Sequence, residues 1–333
     1  MPPSDPEPVE GDFVIENVRF ASGETLAAMN VHYRTLGDPG NPAVLVLHGT
    51  TGSGAGMLDE GFAGALFGPG QPLAADEHYL ILPDAIGHGE SSRPSDGLRA
   101  AFPRYDLEDM VHAQHALLSG HLGVQHLRLV IGHSMGGMLA WIWGIEYPGY
   151  MDALVPMASS PAPMSGRNWM LRRLLIDSVR TDPAWNGGDY EQQPPNLRTA
   201  NAWFTTATAG GDVWLQSEGP TRRAADAFID ERLATLQVGD ANDTMYQWDA
   251  SRTFDPSEGL GRIEAHVLAI NAADDERNPP ELGFLEQRLP RMAHAEAFVI
   301  PTHAGTRGHG TTASLAHLYA DRLGTWLGSV PTP

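Results

Sequence analysis

The feature that most narrows the fold is a corner at residues 132–137, where one apolar run stops and another begins at once. Leu127-Arg-Leu-Val-Ile131 reads as a buried strand, and Gly132-His-Ser-Met-Gly-Gly137 follows it directly. Met135–Tyr147 is then apolar nearly all round and stops at Pro148, as a helix buried inside a fold would. A strand that enters a helix without a linker strains the backbone at the corner, so the positions two before and two after must be small. Gly132 and Gly136 meet that demand, and the corner residue is Ser134. Its hydroxyl is exposed, and the helix N-terminus points at any oxyanion forming there. With 37 glycines in the chain, G-x-S-x-G alone would be weak. Its seat between strand and helix makes Ser134 the candidate nucleophile.

The surrounding pattern agrees. Ala43–His48, Tyr79–Pro83, Leu154–Met157 and Val267–Asn271 are short apolar runs bounded by turn residues, the look of buried parallel strands, and Phe298–Ile300 is a shorter example. Phe13–Phe20 and Leu26–Leu36 alternate like a strand pair. Leu107–Leu122, Leu282–Leu289 and Ser314–Leu327 are helix candidates. Strands alternating with helices imply an α/β fold, a mostly parallel sheet covered on both faces. Residues 160–255 break the rhythm. They hold five of the eight tryptophans and helical pieces such as Trp169–Val179 and Ala224–Ala234, but no buried strand. The expected organisation is a core of residues 12–159 and 256–333, a mainly helical cap of 160–255, and a disordered tail of 1–11.

Composition removes whole classes of function. Acidic residues outnumber basic ones 41 to 21, for a net charge of −20, which repels phosphate backbones and anionic lipid surfaces. Nucleic acid and membrane partners are not expected. There is no cysteine, so disulfides, thiolate nucleophiles and Cys-type metal sites are excluded. There is no lysine either, which excludes Walker-A phosphate binding, pyridoxal Schiff bases and Ser-x-x-Lys hydrolysis. The first residues, MPPSDPEPVEGDF, lack a basic start and an apolar run, so a cytoplasmic protein is expected.

Ser134 needs a base, and the base needs an orienting acid. For a strand–corner–helix nucleophile the chain order is Ser, acid, His. The run Val267–Asn271 ends in Ala272-Ala-Asp-Asp-Glu-Arg-Asn-Pro-Pro280, where Asp274, Asp275 and Glu276 compete. Asp275 is favoured because it stands four residues before Pro279, with Asp274 in reserve. The remaining acids are expected to be solvated. His309, between glycines just before the last helix, is the expected base; His303 reads as structural or solvated. The oxyanion donors are expected to be the N–H of Met135 and that of Thr50, or alternatively Thr51, in His48-Gly-Thr-Thr-Gly-Ser-Gly54. Asp84–Ser92, with His88, reads as a structural turn beside the site. His303, His309 and the acids at 274–276 show no metal-binding spacing, so neither metal nor cofactor is expected.

Phe102–Gln114, Gly132–Met138, Asp182–Tyr190, Ala273–Glu281 and Gly308-His309 together resemble the α/β-hydrolase superfamily, and within it the homoserine O-acetyltransferase-like branch. The resemblance covers residues 43 to 328 and implies a triad of Ser134, Asp275 and His309. Those acetyltransferases hold the acceptor's carboxylate with a cap-helix arginine. Counting back from Asp182, that position falls near Ile176; Arg172, Arg173 and Arg180 stand nearby but out of register. His133 replaces the glycine that often precedes the serine, as in many esterases.

The reading from sequence is therefore a serine-dependent carboxylic ester hydrolase acting through an acyl-enzyme on a small ester or thioester. The alternatives are a homoserine-type O-acyltransferase using acyl-CoA and, more remotely, a binding protein of the same fold. Assembly is left open, a homodimer included. Serine at the corner excludes haloalkane dehalogenase chemistry, which needs aspartate there.

Overall fold

The computed structural model describes residues 7–332. Its eight strands are β1 (Val9–Arg19), β2 (Thr25–Leu36), β3 (Ala43–Leu47), β4 (Tyr79–Pro83), β5 (Leu127–His133), β6 (Met151–Met157), β7 (His266–Ala272) and β8 (Ala295–Ile300). They form one sheet in the order β1-β2-β4-β3-β5-β6-β7-β8. β1 pairs antiparallel with β2, and β2 with β4; every pair from β4 to β8 is parallel. The sequence pattern explains the difference. β3 and β4, apolar at every position but one proline, are buried along their whole length, whereas β1 alternates because one face is solvated.

The tail expected at 1–11 is shorter. Val9, Glu10 and Gly11 already pair with Thr35, Arg34 and Tyr33, so the β2 backbone orders them; residues 1–6 lie outside the described range.

Helices cover both faces. α1 (Ala63–Leu66), α2 (Leu107–Ala116) and α3 (Met135–Glu146) belong to the first half. Between β6 and β7 are inserted α4 (Gly166–Arg180), α5 (Asn196–Thr208), α6 (Asp212–Glu218), α7 (Arg222–Thr235) and α8 (Ala241–Asp249). α9 (Phe284–Arg288), α10 (Thr311–Ser314) and α11 (Ala320–Ser329) complete the chain. α2 starts where the side chain of Asp106 accepts the Asp109 N–H, a capping box. Two expected helices are shorter than the pattern suggested. α9 is limited to 284–288, preceded by Gly283 at φ +63° and followed by Pro290. Ser314–Leu327 is not one helix. Leu315 leaves helical geometry, and the next residue, Ala316, donates its N–H to the Gly61 carbonyl instead of a helical acceptor.

Apolar side chains form one core on each face of the sheet and a third among the inserted helices. α3 is buried on all sides, as its composition demanded, and its two tryptophans find polar partners. Trp143 donates to Gln114 and Trp141 to Ser159. Strand order reverses between β3 and β5: β4 lies to one side of β3 and β5 to the other. Such a switch point opens a crevice at the carboxyl ends of the strands. No helix among the described residues is long and apolar enough to cross a membrane.

Candidate active site

Ser134 stands at this crevice, on the corner between β5 and α3, with φ +56° and ψ −109°. Its N–H donates to the Met157 carbonyl, which ties the corner to β6. A Cβ on Gly132 would lie 2.3 Å from the Gly136 carbonyl oxygen, and one on Gly136 would lie 2.2 Å from that of Leu47. Both contacts are with backbone, so neither position can carry a larger residue without moving a strand.

Three separate segments converge on Ser134. The loop after β8 brings the His309 ring, whose Nε2 is 2.8 Å from Ser134 Oγ. The loop after β7 brings Asp275, whose two oxygens are 2.9 and 3.0 Å from His309 Nδ1. Asp275 is 1% exposed. It also accepts the backbone N–H groups of Arg277 and Asn278 and the Asn278 side-chain amide. Burial by itself would raise its pKa. The His309 ring and these donors outweigh burial and hold it at about 2. A carboxylate facing Nδ1 fixes the ring proton there and leaves the Nε2 lone pair for the serine hydroxyl. His309 is shifted below its ordinary value, mainly by burial, against the pull of Asp275.

The neighbouring acids are not merely solvated, contrary to the sequence reading. Asp274 accepts from the Thr306 hydroxyl and the Gly308 N–H. Glu276 accepts the Gly211 N–H at 2.7 Å and the backbone N–H of His309 at 3.0 Å. All three acids thus grip the loop that carries His309, one by the ring and two by its surroundings. His303 is exposed and accepts only the Gly305 N–H with its ring, as expected of a structural residue. His133 is half-buried and held neutral, its pKa pushed down to about 3 by desolvation and by His309 nearby. Its Nδ1 lies 2.8 Å from the Thr312 hydroxyl, a further tie between the corner and the His309 loop.

The third segment follows β3. His48 is buried, and its Nε2 accepts the Ala85 N–H, so the ring proton sits on Nδ1 and is donated to the Gly49 carbonyl at 2.8 Å. The Gly49–Thr50 peptide is planar and trans, so a held carbonyl aims the Thr50 N–H the opposite way. Gly49 is close to the nucleophile: an added Cβ would lie 3.5 Å from Ser134 Cβ. Thr51 takes φ +66°. Met135 is buried and contributes the first N–H of α3, which has no acceptor within the helix. Asp84 is buried and accepts from Gly54 and Glu90, while His88 is buried and bonded to its own turn, matching the structural role expected for residues 84–92.

Ser134 and His309 open into a cavity of about 350 Å³. Met138, Met164, Phe254, Leu282 and Phe284 give it apolar walls. Arg172, set aside by the sequence reading as out of register, and Arg277, to which it gave no role, contribute two guanidinium groups. Arg172, 1% exposed, lies on α4 one turn before Ile176 and on the same helix face, while Ile176 itself packs in the core of the inserted helices. The arginine sought near Ile176 therefore has a counterpart four residues earlier. Arg172 donates to Asn168 and to Ser251 and lies over the Trp248 ring. Arg277 donates to the Thr208 carbonyl and lies over Phe204. Neither forms an ion pair with a carboxylate among the described residues. Burial lowers Arg172 to about 9, aided by Arg277, and lowers Arg277 to about 10 against the pull of Asp275 and Glu276. Both remain charged at neutral pH. The sequence signal was present: Asn168, Arg172 and Ile176 share a helical stripe, and Arg277-Asn278 directly follows the acid triplet. Among the described residues no cluster of three or more His, Asp or Glu side chains could hold a metal ion.

A family model described as alpha/beta hydrolase fold matches residues 42–303. Homoserine O-acetyltransferase of Haemophilus influenzae is 32% identical over 303 residues, covering 78% of this chain and 81% of that protein. The homoserine O-acetyltransferase of Thermobifida fusca is 33% identical over 305 residues, covering 81% of this chain and 79% of that protein. Among solved structures, homoserine O-acetyltransferase from Bacillus anthracis superposes with a TM-score of 0.83 at 21% identity, covering 98% of this chain and 99% of that one. An acetylester hydrolase from Corynebacterium glutamicum superposes with a TM-score of 0.82 at 20% identity, covering 96% of each chain.

Proposed function

The chain belongs to the α/β-hydrolase family, in its homoserine O-acetyltransferase-like branch, and we propose that it is a serine acyltransferase that moves an acyl group through Ser134 onto a hydroxyl acceptor bearing a carboxylate. The observation that carries this reading is the buried Arg172 guanidinium and the half-buried Arg277 guanidinium, which line the cavity of Ser134 without an ion-paired carboxylate. A buried charge is costly unless paired, and an arginine fork matches a carboxylate with two hydrogen bonds. The sequence relatives, named homoserine O-acetyltransferases, support an acceptor of homoserine type; an acyl-CoA donor is part of the proposal. This exchanges the order of the two readings reached from sequence, because the cavity does hold an arginine from the expected helix.

The residues then act as follows. His309 Nε2 takes the Ser134 proton as Oγ adds to the acyl carbonyl, and Asp275 stabilises the imidazolium. The N–H groups of Met135 and Thr50 bind the oxyanion, and His48 keeps the Gly49–Thr50 peptide turned toward it. The imidazolium returns its proton to the departing thiolate or alkoxide. The acceptor hydroxyl gives its proton to His309 and attacks the acyl-serine, and collapse of the second tetrahedral intermediate forms the new ester and frees Ser134.

Hydrolysis is the second reading, favoured by the apolar walls of the cavity, which suit neutral esters. Water would replace the acceptor in the last step. The test is to supply acetyl-CoA with and without homoserine, following thiol release and the ester product. Acceptor-dependent ester establishes transfer, and acceptor-independent thiol release establishes hydrolysis.

Two expected results arise here. Arg172→Met should raise the KM for the carboxylate acceptor roughly 10–100-fold, the worth of a charge-assisted hydrogen bond, while hydrolysis of p-nitrophenyl acetate changes little. An equal loss in both reactions would assign Arg172 to folding alone. The second concerns pH. Only neutral His309 can accept a proton, so kcat/KM falls on the acid side as the ring protonates. Because its pKa is lowered from 6.5, the acid limb of a p-nitrophenyl acetate profile should be centred below pH 6.5. A limb centred above that value would contradict the burial of the ring.

A further inference from the structure

A second hollow of about 380 Å³ lies behind the catalytic cavity, between α9 and the sheet face of β8. Ala295, Ala297 and Val299, alternate residues of β8, form its floor, and Leu285, Leu289 and Met292 line the opposite side. β8 is the outermost strand, and the short α9 leaves Leu282 50% and Val299 36% exposed. The hollow is not isolated from the nucleophile. Ser160, Asn278, Pro279 and Phe284 line both spaces, so a single layer of side chains parts them.

We propose that this hollow receives the apolar tail of the acyl group carried by Ser134, so that the preferred donors are esters or thioesters of acyl chains longer than acetyl. The inference rests on the acyl-enzyme reading above and adds the chain-length class. The charged acceptor is accounted for by Arg172 and Arg277, which leaves the apolar wall of Leu282, Phe284 and Pro279 for the acyl side. Phe284 and Pro279 of that wall also line the second hollow. The one labile part of the layer between the two spaces is Ser160, whose hydroxyl makes a single 3.1 Å bond to Asn278 Oδ1. Asn278 is anchored by three others, two to Asp275 and one to the Ala158 carbonyl. Rotation of the Ser160 side chain therefore breaks only that one bond and leaves the contacts of Asp275 in place.

The experiment compares kcat/KM for p-nitrophenyl acetate, butyrate, hexanoate and octanoate in the wild type and in Ala297→Phe, which fills the floor. In the wild type the value should climb with length, by up to about fourfold per methylene buried. Ala297→Phe should cost octanoate about tenfold or more and leave acetate within about twofold. Ala295→Leu serves as an independent filling variant. Calorimetry on Ser134→Ala, comparing octanoate with acetate, reads the hollow without turnover; octanoate should bind more tightly, and Ala297→Phe should abolish the difference. A flat length profile, equal losses for all esters, or equal binding of octanoate and acetate would overturn the proposal. Absence of any turnover together with tighter octanoate binding would sink the acyl-enzyme reading and leave the hollow standing as a binding site.

Discussion

Substitution of Ser134 by alanine is expected to lower kcat for p-nitrophenyl acetate by roughly five orders of magnitude, with the fold unchanged. Among the described residues the hydroxyl, 2.8 Å from His309 Nε2, is the one hydrogen-bonded partner of that nitrogen that could form a covalent acyl adduct. Its removal leaves the N–H groups of Met135 and Thr50, the cavity and the His309–Asp275 pair in place. What survives is binding and oxyanion stabilisation without a nucleophile, which elsewhere retains only a small part of the acceleration. Alanine tolerates the corner backbone no worse than serine, since both carry one Cβ at φ +56°. Circular dichroism and the thermal midpoint should therefore match the wild type. Mass spectrometry after exposure to the substrate should find an acetyl group on the wild-type chain and none on the variant. A variant that retained more than about a hundredth of the rate would rule out acyl transfer through this serine.

The second large effect separates two adjacent acids. Asp275→Asn is expected to lower kcat by roughly four orders of magnitude, whereas Asp274→Asn should lower it by about tenfold or less, as for a residue that only positions a loop. The asymmetry follows from their partners. Asp275 faces His309 Nδ1 with both oxygens and stays ionised at about 2, so it holds the tautomer that leaves Nε2 free. An asparagine amide can donate to Nδ1 and reverse that tautomer, which removes the base while the geometry survives. Asp274 touches only Thr306 and the Gly308 N–H, so its loss loosens the loop and leaves the ring in register. Similar losses in the two variants would mean that loop order, rather than the ring proton, limits the rate.

Much of the fold was legible because a doubly covered sheet leaves a strong pattern. Ala43–Leu47 and Tyr79–Pro83 have nowhere polar to face, so their composition announces buried strands. The serine corner was equally plain, because the glycines that relieve it are fixed by contacts within six residues and with one neighbouring strand. His309 and Asp275 were found by chain order and by a proline offset, and the structure brings both to Ser134. The helix boundaries near 282 and 315 were not legible. The helix break at Leu315 is decided by the hydrogen bond of Ala316 to Gly61, more than 250 residues away. The same holds for Arg172 and Arg277. Arg172 stood out of register by sequence and Arg277 lay in a loop, and only the packing of α4 and α8 beside the acid loop brings both to the cavity. Glu276 was misread for a related reason: both of its partners are backbone N–H groups, which no residue identity reveals.

Glu276 also limits how this chain could have been assembled from parts. One oxygen holds Gly211 in the insertion and the other holds His309 in the core. Gly210 donates to the Arg307 carbonyl, and the Arg307 guanidinium lies over Trp214. Insertion and base loop are thus stitched at three points within five residues of each. In recombination experiments the insertion is therefore not a cassette. A chimera that exchanged residues 160–255 for a foreign segment would inherit a general base cut loose from its moorings, unless the recipient also supplied the 210–214 seam.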